Sequence, residues 1–202
     1  MKIHRRQCAY WLASLLAVAA IGATQAAGAG RSSARERLDE RSGITVLTDS
    51  EPIVFARTET RYSRSQRDYI YLGPVEANRQ GTRDYYLWVG VGTTLDRGYL
   101  APTTETPATL VLEVRGEFME LTLESWSERE PSLDRVRLYK TSVQLTNQLA
   151  ARVTLDQLKL IAGESLQSVR VADQEGNTKA YFRWEDAPAW PGFLAAAEGN
   201  GG

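Results

Sequence analysis

The sequence is poor in the side chains that perform most enzyme chemistry, since its 202 residues include one cysteine and one histidine. Both lie near the amino terminus, at Cys8 and His4. The chain beyond residue 29 therefore cannot form an internal disulfide, a Ser-His-Asp triad or a cysteine nucleophile. Zinc and copper sites built on imidazole or thiolate are excluded as well. The sequence indicates no metal site and no cofactor, and the domain must owe its stability to an apolar core.

Lysine is scarce too, and no lysine follows a serine at the Ser-x-x-Lys spacing of some hydrolases. A phosphate-binding Gly-x-x-x-x-Gly-Lys loop is also absent. The stretch Gly90-Val91-Gly92 begins like a dinucleotide-binding fingerprint, but Leu95 stands where the third glycine belongs. This glycine pair predicts a strand end or a bulge instead.

The first 29 residues have the pattern of a secretory signal peptide. A basic start (Met1 to Arg6) precedes an uncharged, apolar run, and small residues continue to Ala29. We expect cleavage after Ala26 or Ala29, export to the periplasm or beyond, and no membrane anchor afterwards. An uncleaved anchor is the alternative, but the last third of the run is too polar for a spanning helix of about 20 apolar residues.

Composition predicts a single domain after the leader. Loss of Lys2, Arg5 and Arg6 leaves 21 basic against 25 acidic residues, so the net charge becomes about −4 and gives no general attraction for nucleic acid. Residues 30–43 are polar and charged and are expected to form a flexible lead-in. A β-rich domain over 44–198 and a disordered tail over 199–202 complete the predicted organisation.

Alternating apolar and polar residues around turn signals predict antiparallel hairpins. One joins 109–114 to 117–123 across Arg115-Gly116 and pairs Leu110 with Leu121 and Leu112 with Met119. A second joins 68–77 to 82–91 across a four-residue loop and pairs Leu72 with Leu87. A third joins 169–173 to 178–184, with four apolar residues on one face: Val169, Val171, Ala180 and Phe182.

Clear helix signals occur in two places, while Val143 to Val153 is strand-like but could also be helical. Thr154 and Gln157 fit a capping box, which predicts a helix from Leu155 to Gly163. A second short helical turn is predicted over Pro191 to Ala197. The fold class is therefore mainly β: an antiparallel β-sandwich or a curved, barrel-like sheet with one or two short helices. A helix packed on an antiparallel sheet, an α+β fold, is the alternative.

The second hairpin provides the first candidate site. One of its faces carries four aromatic residues, with Tyr71 opposite Trp88: Tyr69, Tyr71, Tyr86 and Trp88. If this face is open to solvent, its flat rings are a platform for sugars or extended peptides. The favoured interpretation is a central hairpin covered on both sides.

Charged residues provide two weaker candidates. Glu113 and Glu120 are diagonal neighbours in the first hairpin, at a separation that glycoside hydrolysis can use. The favoured interpretation is an ordinary solvated strand face. Four arginines, spaced like one helix face, could bind phosphate-bearing polymers or lipid headgroups; a solvated connecting loop is favoured for them: Arg57, Arg61, Arg64 and Arg67.

The sequence therefore predicts an exported module that binds a partner protein or an envelope polymer, or serves in assembly, without catalysing a reaction. A hydrolase of glycans that uses only carboxylates is the alternative. A carrier of small apolar ligands is a third option if the sheet closes into a barrel.

Overall fold

A computed structural model describes residues 33–61, 64–94, 108–163, 166–184 and 189–199, all within one compact unit. The proposed leader lies outside these residues. Among them, no helix has the length and apolar character needed to cross a membrane. The chain is mainly β, and its antiparallel sheet nearly closes into a barrel-like shape, which confirms the predicted fold class.

The described elements are strands with three short α-helices and one 3-10 helix. The strands are β1 (Ala34–Asp39), β2 (Ile44–Asp49), β3 (Ile53–Arg61), β4 (Arg64–Arg79), β5 (Thr82–Thr93), β6 (Thr109–Val114), β7 (Glu117–Thr122), β8 (Glu124–Ser125), β9 (Leu145–Val153), β10 (Ser168–Ala172) and β11 (Thr178–Arg183). The helices are α1 (Trp126–Arg129), the 3-10 helix (Pro131–Leu133), α2 (Leu155–Gly163) and α3 (Pro191–Gly199).

The sheet follows the order β7-β6-β10-β11-β3-β4-β5-β9-β8, and every pair within it is antiparallel. Its two end strands, β7 and β8, are separated in the chain by Leu123 alone. The long strand β4 pairs with β3 along its first half and with β2 along its second half. Strand β2 also pairs with β1 on its other edge.

Two apolar cores lie on opposite faces of this sheet. The inner core fills the concave side with branched and aromatic side chains, and the buried faces of α2 and α3 complete it through Leu158, Ile161 and Phe193. The outer core lies on the other face of β2, β4, β5 and β9. Residues 126–144, which we call the covering segment, cover this outer core with Trp126 and Tyr139 among others. The sheet is therefore buried on both faces over its central strands.

The register of the β6–β7 hairpin is confirmed, since Leu110 pairs with Leu121 and Leu112 with Met119, and β7 ends one residue before the predicted Leu123. The predicted register of β4 and β5 is wrong by two residues, because Leu72 pairs with Val89 and not with Leu87. Tyr71 consequently lies opposite Gly90, and Trp88 lies opposite Gly73.

Turn chemistry explains that shift. Gln80 and Gly81 have φ values of 54° and 95°, as a two-residue primed turn requires, and the Asn78 side chain accepts the Gly81 N–H at 2.8 Å. A four-residue loop is therefore replaced by a two-residue turn. Because a shift of two residues preserves the alternation of side chains, the predicted faces of this hairpin are correct.

The predicted faces of the third hairpin are wrong. Val169 lies opposite Tyr181, and Phe182 lies opposite Ser168 on the other side of the sheet. The connecting loop has five residues and is closed by the Asp173 carboxylate, which accepts the N–H groups of Glu175 at 2.9 Å and Asn177 at 2.8 Å. The predicted strands leave a loop of four residues, 174–177, and the observed loop is one residue longer. Because side chains alternate along a strand, this shift of one residue moves each side chain of β11 to the other face of the sheet.

Residues 34–39, assigned from the sequence to a flexible lead-in, instead form β1 against β2. Ser33, just before β1, also binds the start of α3. Its hydroxyl accepts the Gly192 N–H at 3.0 Å, while Asp49 accepts the Phe193 N–H at 3.0 Å. These contacts satisfy first-turn N–H groups of α3 that have no partner inside the helix. A long-range contact thus orders a segment whose own sequence is merely polar.

Both predicted helices form. In α2 the capping box is reciprocal, because Gln157 N–H donates to Thr154 Oγ1 at 3.1 Å and Thr154 N–H donates to Gln157 Oε1 at 2.8 Å. The helix ends at Gly163, as predicted. Helix α3 extends to Gly199 and so includes the first residue of the predicted disordered tail; the other tail residues lie outside the described residues.

Candidate functional site

The four aromatic residues of the β4–β5 hairpin are not a surface platform. Tyr69, Tyr71, Tyr86 and Trp88 are all buried, at most 8% exposed, within the outer core. The covering segment lies over most of them. The hypothesis of a solvent-facing platform at these residues is therefore wrong, and the hairpin is covered on both sides.

Tyr139 attaches the covering segment to the hairpin. Its ring is tilted against Trp88 with centroids 5.0 Å apart, and its hydroxyl donates to the Pro74 carbonyl at 2.5 Å. Complete burial raises the pKa of the Tyr139 phenol well above its ordinary value. Gly73 permits this approach, because a Cβ there would lie 2.4 Å from the Tyr139 ring. These contacts are structural, and they leave no aromatic surface available to a ligand over the centre of the hairpin.

A buried charge cluster holds the same segment at its other end. Glu130, 4% exposed, forms an ion pair with Arg79 and accepts the Tyr86 hydroxyl at 3.1 Å. The hydrogen bond from Arg79 to Glu130 raises the pKa of that guanidinium, and burial raises the pKa of Tyr86. Asp84 extends the cluster to the surface through two ion pairs. One joins Asp84 Oδ2 to Arg79 Nη1 at 2.9 Å, and the other joins Asp84 to Arg152. Each charge has an opposite partner, so the cluster fixes the 3-10 helix to the β4–β5 turn.

The covering segment does not extend over the other half of the outer face. Cross-strand register continues that face from Tyr69 to Ala56 of β3 and then to Phe182 of β11. Phe182 is 63% exposed and Trp184 is 47% exposed. The same side of the sheet reaches Phe118 of β7, which is 60% exposed. We call this area, over β7, β6, β10, β11 and part of β3, the outer aromatic face; the covering segment does not reach it, and among the described residues its large aromatic side chains are exposed.

Arginines lie against these exposed rings. The Arg67 guanidinium is 4.4 Å from the centroid of the Trp184 ring, and that of Arg170 is 5.3 Å from the centroid of Phe118. Trp184 also contacts Tyr69 edge-to-face, with ring centroids 6.3 Å apart and planes at 79°. Cation–π contacts of this kind are worth about 0.5–1 kcal/mol at exposed sites. Trp184 is thus held in one orientation before any ligand arrives.

The four arginines predicted from helical spacing do not form one stripe. All lie on the β3–β4 hairpin, neither on a helix nor in a loop. Arg57 lies opposite Asp68 while Arg67 lies opposite Thr58, so these two arginines occupy opposite faces of the hairpin. Arg61 and Arg64 pair with each other in register at its end, and their side chains lie outside the described part of the structure. Of the four, Arg67 alone is seen against the outer aromatic face.

Glu113 and Glu120 are diagonal neighbours on the outer side of the β6–β7 hairpin, as predicted. Both are exposed, whereas a catalytic carboxylic acid is usually kept protonated by an apolar pocket. Within the described residues, no group of three carboxylates is close enough to hold a metal ion. The two acids therefore lie on a solvated strand face beside Phe118, without the surroundings of a glycosidase site.

Sequence reasoning missed the residues that form the outer aromatic face. The predicted third hairpin puts Phe182 on the opposite side, and although alternation puts Phe118 on the polar face of the first hairpin, neither Phe118 nor Trp184 is singled out by the sequence as a binding residue. The available signal was the Asp173-to-Asn177 loop, since counting five residues in it places Phe182 on the outer side. No family model, curated protein or solved structure matches the chain, and the outer aromatic face is therefore interpreted from its own chemistry.

Proposed function

We propose that this chain is an exported, non-catalytic binding module of the cell envelope, and that it contacts its partner protein or envelope polymer through the outer aromatic face. The observation that carries the proposal is the exposure of Phe182 and Trp184, two residues apart on one side of β11 and its end. Three of the four large apolar side chains exposed in the described residues belong to this face; the fourth is Leu38 on β1.

Burial energetics favour a contact role for these rings. Exposed apolar side chains are ordinary when they are isolated, but several on one face are characteristic of interaction surfaces. Complete burial of an aromatic side chain against a partner removes apolar area worth about 25 cal/mol per Å². Aromatic residues with an arginine beside them are the residue types that dominate binding energy in protein interfaces.

The rigidity of the sheet supports the same conclusion. Trp184 contacts both the Arg67 guanidinium and the Tyr69 ring, and Tyr69 in turn stacks on Tyr71 with centroids 6.1 Å apart. Tyr71 is fixed by its hydroxyl, which is 2.8 Å from Ser142 Oγ. A side chain that is already ordered loses little conformational entropy when a partner binds. The outer aromatic face is thereby preorganised for contact.

Phe182→Ser and Trp184→Ser test the proposal, with Leu38→Ser as the matched control on an exposed apolar residue away from this face. Retention of each purified protein on isolated cell-wall sacculi and on immobilised envelope proteins is measured by sedimentation. Loss of an aromatic anchor is worth about 2 kcal/mol or more, so we expect about 30-fold weaker retention for both face variants. Leu38→Ser should bind normally, and all three should keep their melting temperatures within a few degrees. Unchanged retention of the two face variants would refute the proposal.

A further inference from the structure

A small depression, which we call the arginine depression, lies between β1 and the covering segment and shares no residue with the outer aromatic face. Its volume is about 120 Å³, and three arginines line it: Arg35, Arg37 and Arg137. Arg35 and Arg37 are on the same side of β1, because they are two residues apart on one strand, and their Cα atoms are roughly 7 Å apart. Arg137 belongs to the covering segment, and its carbonyl accepts an N–H of the Arg37 guanidinium at 3.5 Å. Three positive charges are therefore held around one small space.

The floor of the arginine depression is mainly apolar and contains one hydroxyl group. Val46 and Leu138 line it, and both are buried in the outer core. Thr48, opposite Arg35 in the β1–β2 ladder, lines it too and is only 5% exposed. Among the hydrogen bonds of the described residues, none involves the Thr48 hydroxyl. Because buried hydroxyl groups normally have a partner, this one is available to a ligand in the depression.

No acidic side chain of the described residues lines the arginine depression. Asp39 is on the same side of β1 as the two arginines, but its carboxylate already accepts the Ser42 N–H at 3.1 Å and the Ser42 hydroxyl at 2.5 Å. The remaining acids nearby lie on the other side of β1, beyond the ends of its ladder or over β9: Glu36, Glu40, Glu51 and Asp134. Within the described part of the chain, none of the three arginines forms an ion pair. Their charge is therefore complementary to an external anion.

We propose that the arginine depression is a second binding site, which takes a phosphomonoester group. A carboxylate has one charge and two oxygens, whereas a phosphomonoester has a charge of about −1.5 to −2 and three acceptor oxygens. The planar guanidinium can donate two parallel hydrogen bonds to a phosphate. Three guanidinium groups and one hydroxyl therefore match the phosphomonoester better, both in charge and in the number of acceptors. The site uses no residue of the outer aromatic face, so it does not depend on the proposed function.

The probe is glucose 1-phosphate, and its binding to the full chain is measured by isothermal titration calorimetry at low ionic strength and neutral pH. Glucuronate, a sugar of similar size with a carboxylate, is the control ligand. We expect saturable binding of glucose 1-phosphate and about tenfold weaker binding of glucuronate, because hydrogen bonds to a charged group contribute at least this much each. Vesicles of phosphatidylcholine with and without phosphatidic acid test a lipid headgroup as the source of the phosphate. Vesicle retention that requires both phosphatidic acid and Arg37 would assign the site to a lipid, and binding of the sugar phosphate alone would assign it to a soluble ligand; either result supports the site.

Variants separate a built site from a general attraction of charge. Arg37→Gln should weaken binding about tenfold, whereas Arg135→Gln, which removes the same charge from the covering segment but lines a different depression, should have a much smaller effect. Thr48→Val should weaken binding several-fold without any change of charge, and Trp184→Ser should leave binding unchanged. Melting temperatures within a few degrees of the wild type show that each variant is folded. Equal losses for Arg37→Gln and Arg135→Gln would overturn the inference, as would equal binding of glucuronate, or binding of neither the sugar phosphate nor the phosphatidic acid vesicles.

Discussion

Replacement of Gly73 by alanine tests how tightly Tyr139 attaches the covering segment to the sheet. The added Cβ would lie 2.4 Å from the Cε2 and Cζ atoms of the Tyr139 ring, well below the 3.0 Å that real contacts respect. Tyr139 is buried between Trp88 and Pro74, so its ring cannot move away without weakening contacts on both sides. Overpacking typically costs about 1–3 kcal/mol, and a weakened hydrogen bond adds about 0.5–1.5 kcal/mol. We expect Gly73→Ala to lower the free energy of unfolding by about 2–3 kcal/mol.

The same change should be harmless once the ring is removed. Tyr139→Ala alone should cost about 3–5 kcal/mol, as other truncations of large buried aromatic residues do. In that background the methyl group of Gly73→Ala enters vacated space, and alanine in a strand is favoured over glycine by about 0.5–1 kcal/mol. The two substitutions should therefore be coupled by at least about 2 kcal/mol in a double-mutant cycle.

Urea unfolding followed by tryptophan fluorescence measures the four free energies of this cycle. Gly163→Ala is the matched control, because a Cβ there meets nothing within 4 Å and its effect should be small. Additive effects of the two substitutions, within about 0.5 kcal/mol, would show that Tyr139 does not hold the covering segment as described.

Three further predictions concern single residues. Thr154→Ala should cost about 1 kcal/mol in urea unfolding through loss of its cap hydrogen bond, whereas Thr154→Ser should be nearly neutral; equal losses would contradict the capping box. Glu76→Gln should become more favourable relative to the wild type as pH rises from 4 to 7. Burial raises the pKa of Glu76 although Arg83 opposes the shift, so the wild type loses stability as this carboxyl ionises in the folded state; a pH-independent difference in unfolding free energy would refute this. Glu113→Gln and Glu120→Gln should each change stability by less than about 0.5 kcal/mol, as exposed sites do, and a larger change by thermal unfolding would count against a solvated face.

Local chemistry allowed part of this fold to be read from the sequence. The β6–β7 hairpin was predictable because a two-residue turn and strict alternation agree on one register. The α2 helix was predictable because Thr154 and Gln157 satisfy its first N–H groups from within four residues. Both decisions depend on contacts between neighbours in the chain, which the sequence displays directly.

Contacts between distant residues decided the rest. Arginine spacing of 4, 3 and 3 fits a helix, but pairing of Arg57 with Asp68 across the hairpin places those residues in strands. The rings of Tyr71 and Trp88 became core because the covering segment, some fifty residues further along the chain, packs over them. Phe182 became a surface residue because the five-residue loop closed by Asp173 sets the faces of β11, and none of the described segments covers Phe182 as the covering segment covers Trp88. Alternation determines which residues share a face, but whether that face is buried depends on a segment brought from elsewhere in the chain, and only the tertiary structure supplies it.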